Sequence, residues 1–151
     1  MRVYRLSKSK HARDLTGRGA ELSGGRWNSK GSPMIYTSDS IALSTAEIAV
    51  RTTLGNIPED YLLVVYEILE KSVRTLEVID LPPDWKSYPH VPSTQCIGDR
   101  FLFENEFLVL RVPSAVVPAE SNYLINPKHK GIKKVRLVKI EPYSFDERLF
   151  G

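Results

Sequence analysis

The chain has 151 residues, 42% hydrophobic and 26% charged, enough for one globular domain over 1–151 with a core of ordinary size and no length for a separate ligand-binding module. No apolar run approaches the roughly 20 residues of a membrane helix, and the N-terminus, MRVYRLSKSKHARD, lacks the apolar stretch of a secretion signal, so a cytoplasmic protein with no membrane attachment is expected. A net charge of +3 is too small to name an anionic partner, the single Cys96 excludes an internal disulfide, and His11, His90 and His129 are too scattered for metal-ligand spacing, so no metal is expected.

Alternation and β-branched content predict a first strand near Arg2–Leu6. Then comes GGRWNSKGSPMIYTS, Gly24–Ser38, in which a guanidinium, an indole and an amide follow two glycines and lead into a second predicted strand, Met34–Thr37. Guanidinium groups grip phosphates through a planar fork, and adjacent glycines let backbone amides approach the same oxygens. The Arg26 loop therefore reads as a pyrophosphate clamp or as a plain hairpin turn. Tyr36 reads as a core aromatic with a satisfied hydroxyl or as one wall of a pocket.

A helix follows: Ser40 caps it, IALSTAEIAVRTTL fills it, and Gly55 supplies a left-handed stop. Glu47 lies on the row Leu43, Glu47, Val50, Leu54, which is otherwise apolar. A carboxylate there is either half buried, and then a functional candidate, or an i,i+4 partner of Arg51 worth about 0.3–0.5 kcal/mol on an exposed face.

Further strands are predicted near Leu62–Leu69, Arg74–Ile79, Phe107–Val112 and Lys134–Ile140, with a second helix around Thr94–Glu104. Prolines at 82, 83, 89, 92, 113, 118 and 127 make the connections of the second half extended turns. Ser121 and Asn122, in AESNYLINP, read by residue type as turn or cap residues. KHKGIKK, Lys128–Lys134, carries much of the positive charge; with no aromatic residues among its lysines it reads as a solvated turn rather than a nucleic-acid patch. No G-x-S-x-G elbow or Ser-His-Asp arrangement suggests itself. Six strands and few helices without βαβ alternation indicate an α+β domain.

The joint order of these residues is more specific than any one of them. An Arg in GGRWNSKGSPMIYTS, a Glu eleven positions beyond Tyr36 and a Ser in VPSAVVPAESNYLINP resemble the RES domain, named for its arginine, glutamate and serine. The resemblance runs from VYRL through IYTSDSIALSTAEI to VKIEPYSFDERLF, nearly the whole chain. It implies a mixed, split β-sheet with a few flanking helices, like the ADP-ribosyltransferase fold, whose cleft holds NAD as substrate, with no true cofactor. The implied activity is that of the toxin of a bacterial type II toxin–antitoxin system, cleaving NAD at the nicotinamide glycosidic bond with water or phosphate as acceptor. The alternative is transfer of ADP-ribose to a protein target; a ribonuclease-like or nucleic-acid-binding domain rests on the lysine cluster alone.

By the same similarity Arg26, Tyr36, Glu47 and Ser121 would be the catalytic set, and Arg26, Trp27, Tyr36, Ser121 and Asn122 would hold the dinucleotide. The implied partner is an Xre-like antitoxin that covers the cleft and carries the DNA-binding helices. The chain shows no helix-turn-helix of its own, so the toxin alone is expected not to bind DNA.

Overall fold

Seven strands drawn from both ends of the chain share one sheet in the computed structural model, which describes residues 1–151. They are β1 (Arg2–Lys8), β2 (Ile35–Ser38), β3 (Tyr61–Glu67), β4 (Val73–Thr75), β5 (Val109–Pro113), β6 (Ser121–Ile125) and β7 (Arg136–Tyr143). Three helices accompany them: α1 (Arg18–Ser23), α2 (Ile41–Ala49) and α3 (Pro92–Glu104). The strand order is β4-β5-β6-β2-β1-β3-β7; only the β4–β5 pair is parallel, so the sheet is mixed. β1 and β2 join through one residue pair, Tyr4 with Ser38, whereas β1 and β3 pair along seven. Two half-sheets thus meet at a narrow seam, the expected split α+β architecture.

Strand register decides which side chains share a face. Val3, Val64, Tyr66, Val109, Tyr123 and Ile125 bury one face in a single cluster. The opposite face carries two clusters. Trp27, Met34, Trp85, Phe101, Leu110, Val112 and Leu124 form one, to which α3 contributes Phe101. Leu6, Leu63, Val65, Phe145 and Phe150 form the other, against which Ile41, Ile48 and Ala49 of α2 pack. Near the seam on this second face the register puts Tyr36, Ser38 and Asn122, with Tyr36 opposite Leu124 and Ser38 opposite Asn122.

The cap at Ser40 is as expected, its hydroxyl accepting from Leu43 N at 3.0 Å. The helix stops sooner than expected, at Ala49, with Thr52 and Thr53 following; β-branched residues are poor helix formers, and the left-handed Gly55 lies beyond the end. Consequently Val50 is 59% and Leu54 81% exposed, and the apolar row through Glu47 is not a buried stripe past Leu43.

Other elements depart from the sequence reading in local ways. The strand predicted at 74–79 is three residues long, followed by a 3-10 turn over Val78–Asp80 whose Glu77 and Asp80 cap each other. Pro92 opens α3 at its first position, where a missing N–H costs nothing. β6 and α1 are additions, and Ser121 and Asn122 begin a strand rather than a turn.

Candidate active site

The loop ahead of β2 closes as a tight turn, Gly25 N donating to Asn28 O at 2.9 Å, with Arg26 and Trp27 at its corners. The two corner side chains part. Trp27, 2% exposed, drops into the core beside Met34, Trp85 and Phe101. Its indole therefore supports the loop from beneath, and the expected ligand-binding role does not suit a side chain so deeply enclosed. Gly98 of α3 lies directly on the Trp27 carbonyl: a Cβ there would stand 1.5 Å from that oxygen. Only glycine lets the helix approach so closely.

Asn28, fully buried, donates through Nδ2 to Ala20 O at 2.8 Å and Ser32 O at 2.9 Å, and its Oδ1 accepts from the Tyr36 hydroxyl at 2.5 Å. The same hydroxyl accepts from Trp27 N at 3.1 Å. Both capacities of the Tyr36 oxygen are thus used within the loop, and its ring is what remains to face a ligand. Burial pushes the Tyr36 hydroxyl's pKa up, so it stays protonated at neutral pH and is not a general base. Gly25 is required here too, because a Cβ would come within 2.7 Å of the Tyr36 hydroxyl oxygen.

Arg26 reaches across to the segment before α3. Its Nη1 donates to Trp85 O at 2.8 Å and Ser87 O at 2.9 Å, leaving Nε and Nη2 without a protein partner. Burial lowers the pKa of the guanidinium, opposed by the charge of Glu47 and then by Tyr36. Arg26 and Glu47 thus sense each other's charge without forming an ion pair.

Glu47 is the most constrained acid of the site. Its Oε1 accepts from Ser114 Oγ at 2.8 Å and from Asn122 Nδ2 at 2.9 Å, and Oε2 has no protein partner. Ser114 is 0% exposed; its oxygen accepts from Val116 N at 3.1 Å and Val117 N at 3.0 Å, so its hydrogen is left for the carboxylate. Asn122 is oriented in turn by Ser38, whose hydroxyl donates to Asn122 Oδ1 at 2.9 Å and so turns the amide NH2 toward Glu47. Two of these residues, Ser114 and Ser38, are absent from the sequence-derived set. Arg51 does not engage the carboxylate: its Nε donates to the main-chain oxygen of Glu47 at 3.0 Å.

Ser121 is not part of this cluster. Strand alternation along β6 puts it on the face of Tyr123, opposite to Asn122, and its hydroxyl has no partner. Its main-chain oxygen accepts from Asp39 N at 3.1 Å. The serine that the fold delivers to Glu47 is Ser114, from the same VPSAVVPAESNYLINP stretch; recognising β6 would have separated the two by parity. No three His, Cys, Asp or Glu side chains converge as a metal site.

Chemically, a carboxylate with one oxygen held and one free can stabilise positive charge developing beside it, while a guanidinium with free donors can hold phosphates.

The chain matches the family model described as RES domain over residues 2–146. It is 36% identical to the Toxin Res of Yersinia enterocolitica, over 99% of each chain. It is 32% identical to the Prs ADP-ribosylating toxin of Sphingobium sp., over 98% of this chain and 94% of that relative. Among solved structures, a chain of the M. tuberculosis MbcT–MbcA toxin–antitoxin complex shares its fold, with a TM-score of 0.75 at 22% identity, covering 99% of this chain and 86% of that one.

Proposed function

The chain belongs to the RES domain family, and from that premise we propose that it is the toxin of a toxin–antitoxin pair and acts by cleaving NAD at the nicotinamide glycosidic bond. The observation that carries the reading is the Glu47 carboxylate, fixed by Ser114 and Asn122 with Oε2 free, within the electrostatic field of Arg26.

In that reaction the C–N bond between ribose and nicotinamide breaks with its electron pair leaving on the ring nitrogen, and positive charge builds on the ribose. A carboxylate already oriented pays no reorganisation when the charge appears, so Glu47 stabilises the oxocarbenium-like transition state. Arg26 holds the pyrophosphate with its free Nε and Nη2. The Tyr36 ring flanks the nicotinamide, while Ser114, Asn122 and Ser38 position Glu47. The acceptor oxygen then bonds to the ribose carbon and loses its proton.

Water or phosphate as acceptor gives NAD loss; a protein side chain gives ADP-ribosylation, a second reading favoured by the name of the Sphingobium relative. NAD labelled in its adenosine half separates them. Label recovered in small molecules, with products differing in mass with and without phosphate, supports NAD destruction; label on a protein band replaces it with transfer.

An enzyme that consumes NAD in its own cytoplasm needs restraint, which supports a neutralising antitoxin. We take it to be Xre-like, to cover the cleft and to supply DNA binding for the pair. No helix of this chain is long and apolar enough to cross a membrane.

A further inference from the structure

KHKGIKK folds into a defined element. His129 precedes a 3-10 turn over Lys130–Lys134, its Nδ1 accepting from Gly131 N at 2.8 Å while Nε2 faces Glu106 O at 3.2 Å. The histidine is thus a cap with both nitrogens engaged. A second 3-10 turn, Glu70–Ser72, brings Lys71 to the same place, and between the two turns opens a cavity of about 400 Å³ lined by Leu69, Leu108, Lys71, Lys130 and Lys134.

The three lysines are exposed and none pairs with a carboxylate, although six ion pairs form elsewhere on the surface. Like charges gathered around one hollow repel each other, and a bound polyanion relieves that repulsion. The hollow is remote from Glu47: Leu108 precedes β5, whose far end adjoins Ser114, roughly 17 Å along the strand at about 3.3 Å per residue.

We propose that this cavity is a second ligand site, for an organic phosphate of mononucleotide size. Three ammonium groups from two segments exceed what a single carboxylate needs and match a di- or triphosphate. Leu69, 43% exposed, offers an apolar surface for a flat ring above the buried Leu108, and the volume lies within the range of small-molecule sites. The Ser72 hydroxyl hydrogen is committed to Leu69 O at 2.6 Å and both His129 nitrogens are engaged, so beyond the lysines the side chains lining the hollow offer no free donor to select one base over another. Adenine and guanine nucleotides therefore bind alike.

The test titrates the purified full chain with ADP, GDP, adenosine and a single-stranded oligonucleotide by calorimetry. ADP and GDP should bind within threefold of each other and adenosine at least tenfold more weakly. Lys71→Ala/Lys134→Ala should weaken ADP at least tenfold with an unchanged thermal midpoint, and raising salt from 0.15 to 0.5 M should weaken it severalfold. Because ADP carries the pyrophosphate assigned to Arg26, the titrations are run in Arg26→Ala as well, where ADP binding should persist and should be the binding that the added Lys71→Ala/Lys134→Ala pair weakens at least tenfold. Failure to bind ADP, binding insensitive to the lysine variant, or binding lost with Arg26→Ala overturns the site. So does an oligonucleotide held ten times more tightly than ADP, which would make the surface a nucleic-acid contact. The readout is binding, so none of these outcomes bears on the catalytic role of Glu47.

Discussion

Replacing Ser114 with alanine removes a group with three partners and should separate it sharply from Ser121. The lost charge-assisted bond to Glu47, 2.8 Å long, is worth about 1.5–3 kcal/mol. The amides of Val116 and Val117 also lose their acceptor, but both residues are half-buried and water recovers part of that. A net loss of about 2–4 kcal/mol follows, and at about 2–4 °C per kcal/mol for a chain of this length the thermal midpoint should fall by about 4–16 °C. Ser121→Ala removes a hydroxyl with no partner and should change stability by less than about 0.5 kcal/mol. The assay is thermal unfolding of both variants, with nicotinamide release measured below either midpoint. Release should drop about tenfold in Ser114→Ala, because Glu47 keeps only Asn122, and stay near wild type in Ser121→Ala. Equal midpoints, or loss of activity confined to Ser121→Ala, would refute the assignment of the positioning role to Ser114.

Gly98→Ala should destabilise by about 3 kcal/mol or more, at the severe end of overpacking, since the new Cβ would stand 1.5 Å from the Trp27 oxygen; shifted tryptophan fluorescence would accompany it, and a neutral effect contradicts the packing of α3 on the loop. Tyr36, Tyr66 and Tyr123 are each pushed by burial above the ordinary phenol pKa near 10. The folded state holds these protons more tightly than the unfolded state, so their contribution is complete below pH 10 and is lost as pH rises through the folded values. Urea titrations between pH 9 and 11 should show stability falling, and less steeply in Tyr36→Phe; identical slopes would remove Tyr36 from this effect.

What could be read directly from the chain was whatever depends on neighbours a few positions away. The Ser40 cap and the second helix are local, and both are present. Glu47 stood out as an acid in an apolar row, yet its partners lie 67 and 75 residues on, and no local rule reaches them. The near neighbour Arg51 was the only candidate in reach, and it bonds to the backbone instead. Ser121 shows a different failure. SNYLINP opens with residues common in turns, so β6 was hidden, and without a strand there is no parity to tell Ser121 from Asn122. Trp27 beside Arg26 invited one shared role, but the turn through Gly25–Asn28 sends one side chain to the core and the other to the 85–87 segment.

The most direct measurement is nicotinamide release from NAD by Glu47→Gln. A glutamine oxygen can still accept from Ser114 and Asn122, so the fold is preserved while the charge is removed. The expected result is a fully folded protein whose thermal midpoint falls by only a few degrees, since both hydrogen bonds persist without charge assistance, with a rate lower by about 10² to 10³. Equal release by wild type and Glu47→Gln would contradict the central claim that this carboxylate stabilises the breaking glycosidic bond.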